Sequence, residues 1–181
     1  MMTNRQRDNS LGVGTYFAAD AYVALGRRLI IQIVDTAVLV FVSLLLFVVC
    51  VLLCRDPDRP FLLALAAVTW IYLAVMKPSK VRTIGLRLAG ARVVTLRGER
   101  PSILRMTFRV MLRTLAPFNF VWDLVWTGAD NDRRTLRDCY AGTCVVNNDA
   151  EPLGTAEIHL VYYNAIGCNF VYARVCRPEV M

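Results

Sequence analysis

Asp35 is the residue whose chemistry most needs an explanation. From Leu29 to Cys54 the chain reads LIIQIVDTAVLVFVSLLLFVVCVLLC, twenty-six residues whose sole ionisable group, the thiols of Cys50 and Cys54 apart, is that carboxylate. An acid in such surroundings can bind a proton or cation on an ion path, or it can lock two elements together as a buried ion pair. An acid within a span costs roughly 2.5–3.5 kcal/mol on insertion scales, so it needs a partner or a wet cavity. Arg105, Arg109 and Arg113 recur every four residues in ILRMTFRVMLRTL. Arg109 or Arg113 is the expected partner of Asp35. Gln32 shares the face of Asp35 and could hydrogen-bond it or hold a water. Arg28, seven residues before the acid, lies on the same face but ~10 Å away along a helix axis. That distance leaves Arg28 for Asp138 or a lipid phosphate.

The elements that position these groups follow from hydropathy and charge. Hydrophobic residues make up 56% of the 181, and the mean hydropathy is +0.45, too apolar for an ordinary soluble globule. A hydrocarbon core takes about 20 residues of helix to cross, which predicts spans over about 29–54 and 60–76. The net charge of +7 is uneven: residues 77–113 hold ten Lys/Arg against the single acid Glu99. Cations gathered directly after the second apolar run mark that flank, and the N-terminal flank, as cytoplasmic. The expected location is therefore a bacterial cytoplasmic (inner) membrane with the N-terminus inside. The first apolar run is too long and starts too late for a secretory signal peptide. The six cysteines show no CxxC or metal-finger spacing, and His159 is the single histidine. Cys50 and Cys54 are read as packing residues, Cys139 and Cys144 as reduced thiols.

Residues 1–26 read as a loose cytoplasmic lead-in. VRTIGLRLAGARVVTLRGERPS predicts two short strands with a turn at Arg97-Gly98. Pro101-Ser102 then opens a basic amphipathic helix suited to an anionic membrane surface. A third apolar segment over about 114–128 is short for a full span. It is either a re-entrant or interfacial hairpin turning near Pro117-Phe118-Asn119, or a third crossing that recruits residues from about Val110 and puts the C-terminus outside. The hairpin is favoured, because Trp122, Asp123 and Trp126 are interface residue types. Residues 147–181 form a tail with a β-hairpin around Asn164–Asn169. The expected fold is thus a mainly α integral membrane protein: two transmembrane helices, a third short apolar segment, an interfacial helix and small cytoplasmic β-hairpins.

Three stretches together resemble the RDD family of small integral membrane proteins. Arg27-Arg28 precede Asp35. Thr83-Ile84-Gly85-Leu86-Arg87-Leu88-Ala89-Gly90-Ala91-Arg92-Val93-Val94 is similar to the family's T-x-G-K-R-x-x-G-x-x-V-V segment. Arg133-Arg134-Thr135-Leu136-Arg137-Asp138, leading into Ala141-Gly142-Thr143-Cys144-Val145-Val146, is similar to R-x-T-x-H-D-x-x-A-G-T-x-V-V. The resemblance covers about residues 20–146 and makes 27–146 one membrane domain. Leu86 stands where the family usually has lysine, and Arg137 where it has the histidine before the second aspartate. That last change removes a group that would titrate near neutral pH. The resemblance implies an undefined molecular activity, with transport, including sodium/proton exchange, suggested for some members.

Two function classes follow. The first is a membrane-anchored structural or adaptor module, with lipid bilayer and anionic phospholipid at segment 77–113 as partners. The second is an ion or small-solute transporter with Asp35 as coupling carboxylate, which requires a homo-oligomer because two or three spans cannot easily enclose a path. The arginines alternate with large aliphatics beside a span, which argues against nucleic acid. No nucleophile–base set, zinc motif or phosphate loop supports an enzyme, and no cofactor is expected. Thr83, Gly85, Ala141, Gly142 and Thr143 are read as turn formers rather than as a ligand cradle.

Overall fold

The computed structural model describes residues 11–115, 123, 126, 127, 132–165 and 168–177. The apolar run becomes α1, Leu25–Leu53. Its backbone groups are satisfied within the segment, as a lipid environment requires. A short turn leads to α2, Asp58–Trp70, with Asp58 and Pro60 in its first turn, where an acid suits the helix dipole and proline loses no hydrogen bond. The helix winds on without a break as a π-helix, Ile71–Met76. Phe47 and Phe61 meet edge to face, with ring centroids 5.4 Å apart, and help tie the two helices together. Both helices are long and apolar enough to cross a membrane. Phe41, Leu44, Leu52, Leu53 and Leu63 are exposed along them, unlike the core helices of a soluble protein.

The first turns of α1 belong instead to a head built from the rest of the chain. Arg27 donates to Asn147 Oδ1 at 2.7 Å and also to the Ala89 carbonyl. After Asp35, the 18 residues Thr36–Leu53 give ~27 Å of helix, close to a bilayer's hydrocarbon thickness. Asp35 therefore sits at the floor of the head, not at midspan.

Among the described residues the head holds two small sheets. β1 (Val13–Phe17), β4 (Pro152–Ala165) and β5 (Cys168–Val175) form an antiparallel sheet in the order β1-β4-β5. β2 (Ala91–Thr95) pairs antiparallel with β3 (Thr143–Asn147), Val93 opposite Val145. The lead-in is thus partly a strand rather than loose, because β4 supplies its hydrogen-bonding edge. Tyr22 adds a bridge to Val146. The tail hairpin forms where expected, with Asn164 opposite Asn169. The expected strand before β2 is instead a short helix, α3 (Ile84–Leu88), and β2 finds its partner about fifty residues later. The turn at Arg97-Gly98 is present, with Gly98 at φ +77° and its N–H on the Thr95 carbonyl.

Among the described residues the head also holds α4 (Ile103–Leu115) and α5 (Leu136–Ala141). Val23, Ile31, Leu86, Met106 and Val145 meet in the largest core cluster. α4 is amphipathic, as expected, but it faces the other way. Leu104, 81% exposed, and the exposed Phe108 and Met111 look outward, while Met106 is buried and Arg109 and Arg113 turn inward. The basic stripe follows the groups that need cations, and those lie inside. Of the apolar segment expected over about 114–128, only Thr114, Leu115, Asp123, Trp126 and Thr127 are among the described residues, so the hairpin and third-span readings fall outside them.

Candidate functional site: two clasped carboxylates

Asp35 is 1% exposed and accepts four hydrogen bonds. Tyr72 Oη and the Gly85 N–H reach Oδ1 at 3.0 Å each. Lys77 Nζ, at 3.0 Å, and Thr83 Oγ1, at 3.1 Å, reach Oδ2. A carboxylate has about four lone-pair sites, so its accepting capacity is filled. The partner is Lys77, not Arg109 or Arg113: the lysine leaves the end of the second span at the depth of the acid, whereas Arg109 is drawn elsewhere.

Three features of the chain build this cradle. Tyr72 and Lys77 are five residues apart, which in an α-helix leaves them ~140° apart around the axis at about 100° per residue. The i→i+5 winding of the π segment brings both to one face. Arg82 takes the left-handed backbone region at φ 56°, unusual for a residue other than glycine. Its side chain holds the bend by donating to Asn148 Oδ1 at 2.7 Å, and Thr83 follows at once. Thr83 precedes α3 but caps nothing there, since its hydroxyl goes to Asp35. The first N–H groups of α3, which no helix can satisfy for itself, go to Tyr72 Oη from Ile84 and to Asp35 from Gly85. Gly85 allows the close approach: a Cβ there would lie 2.5 Å from the Ile31 carbonyl oxygen and 2.6 Å from Asp35 Oδ1.

Asp138, 0% exposed, is held in the same manner elsewhere in the head. Arg28 Nη1 donates to Oδ2 at 2.8 Å, and Arg109 Nη2 lies 2.5 Å from Oδ1. Thr143 Oγ1 donates to Oδ1 at 3.1 Å. The acid also closes a capping box at the start of α5, its N–H on Thr135 Oγ1 at 3.1 Å and its carboxylate accepting from the Thr135 N–H. Gly142, left-handed at φ +60°, ends α5 and swings Thr143 back to the acid. Burial alone would raise the Asp138 carboxyl, but the Arg109 and Arg28 guanidiniums outweigh it and hold the pKa well below the usual carboxylate range.

A carboxylate whose folded pKa is depressed contributes stability above its unfolded pKa of about 4, and loses it as pH falls through the folded value. The melting-temperature gap between native protein and Asp138→Asn is therefore expected to stay constant from pH 8 to about 5.5 and to narrow below about pH 4. A gap that changes between pH 5.5 and 7 would show that Asp138 titrates freely. The comparison is made by thermal melts in mild detergent.

Between the clasps, Arg113 donates to the Gln32 carboxamide oxygen and Arg137 pairs with Asp123. Arg137, standing in the histidine position, thus carries a permanent charge into an ion pair. Burial raises the Asp123 carboxyl and lowers the Arg113 guanidinium. Ala141 is buried at the end of α5, whereas Arg87 and Arg105 are exposed and take no part in either clasp.

Thr83, Gly85 and Thr143 thus donate to the two acids as well as shaping the chain. Tyr72 and Lys77 are the functional residues that the sequence left unassigned. In the sequence Tyr72, with Trp70, fits interfacial anchoring only loosely, and Lys77 is one cation among ten. Their signal was depth: Lys77 is the first cation after the second span, at the level where Asp35 enters the first.

No curated protein and no solved structure matches the chain. The family model described as the RDD family matches residues 22–142, more than half of the chain and both acids with every donor named above except Thr143. The two apolar helices and this match together point to a membrane protein. The chain belongs to the RDD family.

Proposed function

We propose that this chain is a membrane-anchored structural or adaptor module, without enzymatic activity, whose two aspartates are internal staples rather than coupling groups. The observation that carries this reading is the filled shell of Asp35. Four donors occupy its oxygens, and a cation could enter only by displacing one of them. The module crosses a bacterial inner membrane twice, with the head in the cytoplasm. Its partners are the bilayer, through the exposed apolar faces of α1, α2 and α4, and anionic phospholipid, through the exposed Lys80, Arg87, Arg97, Arg100 and Arg105.

Flux measurement in proteoliposomes tests it. The native protein and Asp35→Asn are both expected to show no sodium- or proton-dependent flux above empty liposomes. Robust native flux that the substitution abolishes would make Asp35 a coupling group. That transport reading, which needs a homo-oligomer, draws support from one observation. The Lys77 ammonium beside Asp35 is brought down to about 8, burial lowering it against the opposing pull of the carboxylate, and Lys77 borders a cavity.

Pairing of β1 with β4 supports a topology in which residues 11–17 and 152–175 share one side of the membrane. With the exposed Cys176 as the single thiol, a membrane-impermeant maleimide should label lysed cells and leave sealed cells unlabelled. Labelling of sealed cells would put the head outside.

A further inference from the structure

Between the two clasps lie two adjoining cavities of about 80 and 50 Å³. Gln32, Lys77, Arg109 and Arg137 line both, Arg28 joins them at the first, and Arg113 at the second. Five cations therefore surround a partly enclosed space. Among the described residues, the acids that face them are Asp35, Asp138 and Asp123, each already paired with one or more of the five. Five against three leaves an excess of two positive charges among the described residues, in a place where uncompensated charge is costly.

The hydrogen-bond inventory points the same way. Arg28 spends Nη1 on Asp138, and its Nη2 is buried with no partner. Arg109 spends Nη2 on Asp138, and its Nη1 is buried with no partner. The two side chains are only 9% and 13% exposed, so bulk water does not serve these N–H groups. Guanidinium forks suit tetrahedral oxyanions, which take several charge-assisted hydrogen bonds at once. At roughly 10–15 Å³ for each water-sized centre, the larger cavity has room for the five heavy atoms of a phosphate. Leu25, Leu29 and Ile31 close its apolar side, which strengthens the electrostatics within.

We propose that this cavity binds a phosphate-class oxyanion, either free inorganic phosphate or the phosphomonoester of an anionic lipid headgroup. A dianion would supply the two missing negative charges and accept from Arg28 and Arg109 together. Its site would lie behind the lipid-facing surface of α4, apart from the exposed basic residues, and it stands whether or not the acids are staples.

The test uses the full-length protein in mild detergent, with native mass spectrometry and thermal melts. Inorganic phosphate, phosphatidic acid and phosphatidylcholine are compared at matched ionic strength. One phosphatidic acid retained per protein, with little protection by inorganic phosphate, assigns the headgroup as the source. Protection by inorganic phosphate that also displaces the lipid assigns the free anion. Arg113→Gln removes one cation from the adjoining cavity without breaking an ion pair and should weaken binding severalfold through the lost attraction. Gln32→Glu supplies one of the two missing negative charges from within. It should raise the melting temperature of the ligand-free protein and abolish the response to phosphate. Arg105→Gln, on the exposed side of α4, should bind as the native protein does. Absence of any retained or protecting phosphate would overturn the proposal and leave the cavity to water. So would protection that Arg113→Gln and Gln32→Glu leave unchanged, which would put the anion elsewhere.

Discussion

Asp138→Ala should leave almost no monodisperse protein in detergent extracts, a loss of roughly 3–5 kcal/mol, the scale for a buried charge stripped of its partner. The acid sits on α5 and ties it to two other helices. Arg28 reaches it from α1 and Arg109 from α4, and its capping box closes the start of α5. Removing the carboxylate strands two guanidiniums that form an ion pair with no other acid among the described residues. It also frees Thr143 and opens the start of α5. Arg28→Ala or Arg109→Ala should cost less, since each leaves Asp138 one cation. The ranking is checked by fluorescence-detected size exclusion and melting temperature for the three variants side by side. If Asp138→Ala melts within a few degrees of the native protein, the clasp contributes little and the stapling reading of both acids is lost.

Gly85→Ala, a single methyl group, is expected to damage the protein about as much as Asp35→Asn. The added Cβ would lie 2.5 Å from the Ile31 carbonyl oxygen and 2.6 Å from Asp35 Oδ1, and both neighbours are held in place. The carbonyl belongs to α1 backbone, and the carboxylate is fixed by four donors. Overpacking of this kind costs roughly 1–3 kcal/mol. Wherever α3 is pushed away, Asp35 loses the Gly85 N–H and the Thr83 hydroxyl, and the cost moves toward that of an unsatisfied buried charge. An alanine at Gly90 provides the contrast. That glycine is left-handed at φ +57°, but only an arginine nitrogen, 3.6 Å off, stands near its Cβ position. Strain there is local and should lower the melting temperature modestly. If Gly85→Ala proves no worse than Gly90→Ala, α3 does not rest on α1 as closely as the cradle requires.

The two long helices, the turn at Arg97-Gly98, the α4 start after Pro101-Ser102 and the terminal hairpin were legible because each rests on local signals. Hydrophobic run length, a proline and a β-prone pattern around polar turns need no distant partner to be read. The Arg28–Asp138 pair was legible for a different reason: seven residues of helix put Arg28 too far from Asp35. What the residues alone could not give was any contact that depends on a long-range fold. β2 pairs with a strand about fifty residues away, and β1 with the tail. VRTIGLRL reads as β-prone by propensity, but α3 forms because Tyr72 and Asp35 accept its first N–H groups. The stripe of Arg105, Arg109 and Arg113 is a plain sequence pattern, yet which way it faces is decided by Asp138 and Gln32. Periodicity reports that a helix has two faces and is silent on which one meets lipid.

The six-residue π-helix at the end of the second span bears on how this chain should be compared with shorter or longer relatives. Tyr72 and Lys77 share a face only because the winding there is loose. A chain one residue shorter between them would set tyrosine and lysine four apart, the spacing at which an ordinary α-helix already aligns two side chains. Such a chain could assemble the same cradle with no irregularity at all. The loose turn is what one inserted residue leaves behind when both ends of the helix are pinned. In an alignment, a single-residue gap over 71–76 would therefore mark two ways of reaching one site, not the loss of it.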